Sequence, residues 1–259
     1  MSKIQKILLI WPYLQREPVK DIRSQQMWVS KRFPLGIGYL ASFLEREMDV
    51  EVEILDCVAE NPKPRLVGEN VRVGCSDEDI EARIREFSPD LVGVSQMFSY
   101  LEKPVKNIFS IAKSINPDVV NVWGGTHPTV VPKECVEFSD VDYLILGEGE
   151  APFKRLINTL NAKEDVSGMK SLAYKSDDGE IHINDEREWI QDLNTHVLPA
   201  REKVDFEKYM GQVREANIVT SRGCPFACTF CSAPAFYQKR YNTRSPENVV
   251  DEIEFLSKE

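Results

Sequence analysis

Apolar positions in residues 1–160 alternate between short continuous blocks and longer periodic runs. The blocks are residues 6–12 (KILLIWP), 50–57 (VEVEILDC), 90–96 (DLVGVSQ), 119–125 (VVNVWGG) and 142–148 (DYLILGE). Continuous apolar runs of this length suit strands covered on both faces, as in parallel sheets. Between the blocks lie helix-like segments at 34–47, 76–87, 103–115, 133–138 and 151–160. In the first of them Leu40, Phe43, Leu44 and the following Met48 recur at helical spacing. Ser76 is placed to cap the second, with Asp79 at the reciprocal capping-box position. The pattern predicts an α/β fold with an open, doubly wound five-stranded parallel sheet. Ligands of such sheets sit beyond the carboxyl ends of the strands.

The pattern changes after residue 160. Residues 171–184 read as a β-hairpin turning at Asp177-Asp178-Gly179, and residues 192–210 have little periodicity. A new strand is predicted over 215–223, running into a cluster of cysteines. A helix follows over 245–259, with Ser245 as its cap and Pro246 in its first position. The chain thus divides into a sheet domain (1–160), a linker carrying a hairpin (161–214), and the first strand, loop and helix of a second α/β unit (215–259).

Composition narrows the class. The chain has 259 residues, 42% hydrophobic and 29% charged, as in globular proteins. No apolar run approaches the length of a membrane span, and the first apolar block reads as a strand rather than a signal peptide. No membrane association and a cytoplasmic location, where thiols stay reduced, are the expectation. A net charge of -10 argues against bulk nucleic-acid binding, leaving QKRYNTR (238–244) as the one basic stretch. GIGYLA (36–41) matches a dinucleotide-binding pattern, but it does not directly follow a strand and reads as helix packing.

The candidate chemistry lies at strand ends and in the cysteines. Ser95, Gly124, Gly125, Gly147 and Gly149 follow three strands. Any one glycine there reads as a tight turn, whereas three such ends in register favour a ligand crevice. Cys57, Cys75 and Cys135 lie in or beside apolar segments and read as core. Cys224, Cys228 and Cys231 differ, being three thiols within one loop. Thiolates select zinc, copper(I) or iron–sulfur clusters. A closed zinc site needs a fourth ligand. No cysteine follows Cys231, and the nearest upstream histidine is His196. A [4Fe–4S] cluster on three cysteines leaves one iron open to a substrate or cofactor. Structural zinc is the alternative.

SRGCPFACTFC (221–231) resembles the CxxxCxxC signature of radical S-adenosylmethionine enzymes, with Phe230 as the aromatic before the last cysteine. PLGIGYLASFLE, EVEILD, DLVGVSQ, VWGGTHPT and VDYLILGEGEAPF precede it in order. Over essentially its whole length the chain is similar to cobalamin-binding-domain radical S-adenosylmethionine proteins. The resemblance implies a flavodoxin-like cobalamin domain followed by the start of a partial TIM barrel, most of which the sequence does not include. It implies that Ser95, Gly124, Gly125 and Gly147 line the pocket for the nucleotide tail of cobalamin. Thr126, His127, Glu148 and Gly149 are further implied contacts. Cys224, Cys228 and Cys231 would hold a [4Fe–4S] cluster whose open iron chelates S-adenosylmethionine, with Phe230 against the adenine. The family's D-x-H-x-x-G is missing: residues 12–34 contain no histidine, and His127 is in another loop. Cobalt is therefore expected to lack a histidine ligand.

The implied activity is methyl transfer from S-adenosylmethionine through cobalamin to an unactivated carbon or phosphorus, with this chain alone inactive. Radical ring closure or rearrangement is a family variant. A non-catalytic cobalamin-binding module with a vestigial iron–sulfur loop is the alternative. The implied partners are a small-molecule or peptide substrate and an electron donor such as flavodoxin or ferredoxin.

Overall fold

The computed structural model describes residues 3–18, 32–195, 197–209 and 215–258. Strands β1 (Lys6–Trp11), β3 (Glu51–Asp56), β6 (Leu91–Ser95), β7 (Val120–Gly124) and β8 (Tyr143–Ile145) form the predicted parallel sheet. Their spatial order is β3-β1-β6-β7-β8, the flavodoxin-like order 2-1-3-4-5. Alternate side chains of each strand enter opposite cores. From β1, Leu8 and Ile10 face the core under helices α3 (Asp77–Phe87) and α4 (Glu102–Ile115). Ile7 and Leu9 face the other, under α1 (Leu35–Glu47) and α7 (Glu150–Ala162). A buried Leu or Ile side chain contributes about 1.5–3 kcal/mol, so these two layers dominate the stability. The capping box of α3 is formed: Asp79 N donates to Ser76 Oγ at 3.1 Å and Ser76 N to Asp79 Oδ2 at 2.7 Å. Cys57, Cys75 and Cys135 are buried, and burial pushes the Cys135 thiol up to about 12.

The structure departs from the sequence pattern in several places. The hairpin β9 (Leu172–Lys175) and β10 (Ile181–Ile183) is not part of a separate linker. It adds two antiparallel strands to the β8 edge, making seven strands, because Leu172 and Ala173 complete the buried faces. A second, three-stranded sheet of β2 (Leu14–Arg16), β4 (Arg65–Val67) and β5 (Asn70–Val73) occupies segments to which the pattern assigns no element. Its Arg72 stacks 3.4 Å from the Tyr13 ring centroid and pairs with Asp77 at 2.6 Å. Between β7 and β8 an unpredicted short helix, α5 (Thr126–Val130), precedes the predicted one, α6 (Pro132–Val136), and α2 (Cys57–Glu60) follows β3.

The expected strand over 215–223 is only β11 (Ser221–Gly223), paired antiparallel with β12 (Tyr241–Thr243). Upstream, the Asn217 and Val219 carbonyls accept from Arg201 and Arg244 side chains instead of a neighbouring strand. Helix α8 (Ala233–Tyr237) follows the cysteines, and α9 (Pro246–Lys258) is capped by Ser245, whose Oγ accepts from Asn248 N at 3.2 Å. In α1, Gly38 packs on the Phe33 ring and Pro199 rather than on the sheet.

Candidate functional site

All five parallel strands present a residue at their carboxyl ends to one cavity of about 700 Å3: Trp11, Asp56, Ser95, Gly124 and Ile145. Hydrogen bonds hold these ends in register. Gln96 is fully buried; its amide oxygen accepts from Trp123 Nε1 at 3.0 Å, and its backbone N donates to Gly124 O at 2.8 Å. Thr129 Oγ1 donates to Gly125 O at 2.8 Å and accepts from Gly147 N at 2.9 Å, joining the β7 and β8 ends. Gly125 has φ 101°, and a Cβ there would stand 2.5 Å from Gln96 O, so this glycine makes the turn. At Gly124 and Gly149 a Cβ would meet nothing within 4 Å.

Ser95, Gly124, Gly125, Thr126, Gly147, Glu148 and Gly149 all line the cavity, as the sequence reading placed them. His127 does not. Its ring is buried beside Trp123, and its Nδ1 lies 3.0 Å from Ser99 Oγ. Burial pushes its pKa down. It is therefore corrected from a cofactor contact to a side chain that packs behind the β7 end. His196 and residues 19–31, most of the histidine-free loop, lie outside the described residues.

Two buried acidic sites mark the cavity wall. Asp56 accepts from Val58 N and Ala59 N through Oδ1, and from the Tyr209 hydroxyl through Oδ2 at 2.8 Å. Burial raises its pKa, and the Tyr209 hydroxyl is raised as well, by burial and then by Asp56. At the other site Arg222 Nη2 donates to Glu150 Oε1 at 2.8 Å, with Nη1 3.6 Å from Glu148 Oε1. Its guanidinium also lies over Tyr39, 5.2 Å from the ring centroid. Burial opposes the charge on Arg222, but Glu150 and Glu148 outweigh it and push its pKa up. Glu148 itself is raised by burial, and its Oε2 accepts from Ile190 N at 2.9 Å.

Arg222 stands two residues before Cys224. Gly223 between them has φ 92°, and its backbone is so close to Arg240 that a Cβ would lie 2.0 Å from the Arg240 carbonyl oxygen. The loop then runs out through Cys224, Cys228 and Cys231 and returns in α8, whose Phe236 and Tyr237 again line the cavity. All three thiols are unpaired, Cys224 partly exposed and the other two exposed. The donor set fits a soft metal or an iron–sulfur cluster. The loop is not drawn around a common centre: among the described residues no three His, Cys, Asp or Glu side chains form a metal-holding group. Phe230 is 92% exposed and is not among the residues that line the cavity.

Sequence reasoning missed Asp56, Glu150, Arg222 and Tyr209 as parts of the site, and the rim of large side chains Met97, Phe98 and Tyr100. The rim had a signal, since MFSY puts large apolar residues just past a strand end, where a turn would be polar. Phe98 and Tyr100 stack at 5.6 Å. The buried ion pair had none, because Arg222 and Glu150 are far apart in the chain.

A B12 binding domain profile matches residues 30–157. Cytidylyl-2-hydroxyethylphosphonate methyltransferase of Streptomyces wedmorensis is 32% identical over 257 residues, spanning 85% of this chain and 48% of that protein. An uncharacterized methyltransferase of Pyrococcus horikoshii is 32% identical over 256 residues, spanning 98% of this chain and 51% of that protein. The chain therefore spans about half the length of these curated relatives. Among solved structures, the cobalamin-dependent S-adenosylmethionine radical enzyme OxsB with aqua-cobalamin and S-adenosylmethionine bound shares the fold. The TM-score is 0.72 at 19% identity, over 97% of this chain and 31% of that one. Residues 30–157 thus match the B12 binding domain family, and the chain is similar over most of its length to these methyltransferases, with the CxxxCxxC loop leaving the wall of the strand-end cavity.

Proposed function

We propose that the strand-end cavity holds cobalamin, that Cys224, Cys228 and Cys231 hold a [4Fe–4S] cluster facing S-adenosylmethionine, and that the chain is part of a methyltransferase. The acceptor is an unactivated carbon or phosphorus of a small-molecule or peptide substrate. One observation carries the reading: the cysteine loop leaves the wall of the 700 Å3 cavity at Arg222 and rejoins it at Phe236. A cluster on that loop would therefore stand at the cavity rim. The relative that methylates a phosphonate supports methyl transfer as the reaction.

The residues present suit both cofactors. The open space over Gly124 and Gly149 lets a large planar group lie against backbone, and Trp11 and Phe153 supply apolar walls. When bound, the cluster supplies the electron that cleaves S-adenosylmethionine, and cobalamin carries the methyl group. The protein's part is to bind, orient and shield. Ser95 and Thr126 offer hydroxyls to the cavity, and the stacked Phe98–Tyr100 pair adds aromatic surface to its lining. With His127 turned away from the cavity, no histidine of the described residues is placed to ligate cobalt. No described helix is long and apolar enough to cross a membrane. Three unpaired thiols suit the reducing cytoplasm, where flavodoxin or ferredoxin would donate electrons.

The test is anaerobic reconstitution with iron, sulfide and hydroxocobalamin. One cluster's iron and sulfide per chain is expected, together with bound cobalamin. Replacing all three cysteines by alanine should abolish iron uptake and leave cobalamin binding. Iron retained by that variant, or no cobalamin bound by the wild-type chain, would refute the proposal.

A further inference from the structure

Arg222 is the shared wall of two cavities. One is the 700 Å3 strand-end cavity, which Glu148, Glu150 and Arg222 all line. The other, of about 190 Å3, lies on the cysteine-loop side, between Arg222 and Glu148 and the residues Trp189, Arg240 and Tyr241. The Arg222 side chain is 13% exposed and those of Glu148 and Glu150 are 8% and 5% exposed, so the contacts are desolvated and directional. The next residue, Gly223, is pressed against the Arg240 backbone with no room for even a methyl group. Arg222 itself pairs with Asn242 in the β11–β12 ladder. Two consecutive residues are thus held against the segment Arg240–Asn242, and Cys224 follows at once. A ligand that shifts Glu148 or Glu150 in the main cavity must shift Arg222. The Gly223 contact has no slack to absorb that movement before the first cluster ligand.

We propose that Arg222 is a positioning residue that couples the two cofactor sites, so that a cluster on the cysteine loop and cobalamin in the cavity each tighten binding of the other. This rests on the assignment of cobalamin to the cavity and the cluster to the loop. The salt link is the coupling element because it is the charged contact between the cavity wall and the residues leading into Cys224. Linkage requires the effect to be reciprocal.

The test measures the dissociation constant of hydroxocobalamin by anaerobic equilibrium dialysis, on the chain reconstituted with its cluster and on the same chain stripped by a chelator. The cluster should tighten cobalamin binding by at least about fivefold, the low end of ordinary coupling. Arg222→Met and Glu150→Gln should each bring the ratio close to one, and Arg222→Lys should recover part of it. Glu150→Gln and Arg222→Lys preserve side-chain size, so they carry the test if Arg222→Met does not fold. A wild-type ratio of one with both cofactors bound overturns the coupling alone. So does a ratio of fivefold or more that persists in Glu150→Gln with no change in Arg222→Lys. A wild-type chain that binds no cobalamin or takes up no iron overturns the parent assignment, and the coupling with it.

Discussion

Gly124 and Gly125 are adjacent in sequence, and the structure predicts opposite outcomes for substituting them. Gly125 has φ 101° and ψ -170°, a region populated essentially by glycine, which costs any other residue about 1–3 kcal/mol. A Cβ there would also stand 2.5 Å from Gln96 O and 2.9 Å from both Gln96 C and Gln96 N. That neighbour is backbone and cannot rotate away. It is fixed by Gln96 N donating to Gly124 O at 2.8 Å and His127 N donating to Gln96 O at 3.1 Å. Each such bond contributes about 0.5–1.5 kcal/mol. Relief of the clash would break at least one of them, so Gly125→Ala should destabilise by about 2–4 kcal/mol. Gly124 has no such neighbour within 4 Å. Gly124→Ala should change stability by less than about 1 kcal/mol, in the stabilising direction, through the unfolded chain. Gly124→Trp should fold but fill the space above the β7 end. Urea unfolding gives the stabilities, and titration with hydroxocobalamin gives the binding. The reasoning is refuted by Gly125→Ala with wild-type stability, or by Gly124→Trp that folds and binds cobalamin with unchanged affinity.

Two further predictions concern buried charge. Glu252 is fully buried and accepts from Arg201 at 3.0 Å and from Arg244. Glu252→Ala, which strands both guanidinium groups, should cost about 3–5 kcal/mol in urea unfolding and speed amide exchange in α9. Glu252→Gln should cost less, and a loss within error for the alanine variant would sink the idea. For Asp56, burial raises the folded pKa above the unfolded value. Its contribution is therefore fully present below the unfolded pKa and is lost as pH rises through the folded one. The wild-type chain should gain stability relative to Asp56→Asn as pH is lowered from 7 toward 4, and urea midpoints that keep a constant gap across that range would contradict this.

What was legible in the sequence follows from locality. The five apolar blocks announce the parallel sheet because burial on both faces leaves few polar positions within a strand, as Ile7, Leu8, Leu9 and Ile10 illustrate. Ser76 with Asp79, and Ser245 before Pro246, are caps whose partners lie three residues away, so both ends could be read directly. The glycine-bearing strand ends gave the cavity because the topology of such a sheet dictates where ligands enter. The role of β9 and β10 was not legible. A hairpin's turn residues give its bend, but only the open β8 edge gives it a place. His127 misled for a related reason: a residue at a strand end is within one peptide of the cavity, and the helical turn beginning at Thr126 rotates its ring away from it.

Polar contacts that help to place the C-terminal segment were also illegible. Tyr209 reaches Asp56, Arg222 reaches Glu150 and Arg201 reaches Glu252, across separations of 153, 72 and 51 residues. Apolar packing could not do this work at the mouth of a cavity that must stay open, because an apolar seal would close it. Helix α8 buries no residue, and Phe226 and Phe230 in the cysteine loop are exposed, so this part of the chain has no core of its own. Directional, desolvated hydrogen bonds can hold such a segment in one orientation with little buried area, at a cost that depends on every partner being present. Among the described residues the loop has no such bond to its thiols beyond Ala233 N donating to Cys231 Sγ at 3.4 Å. Its position is therefore set by the charges at its base, whereas the arrangement of its three sulfurs depends on the ligand that draws them together.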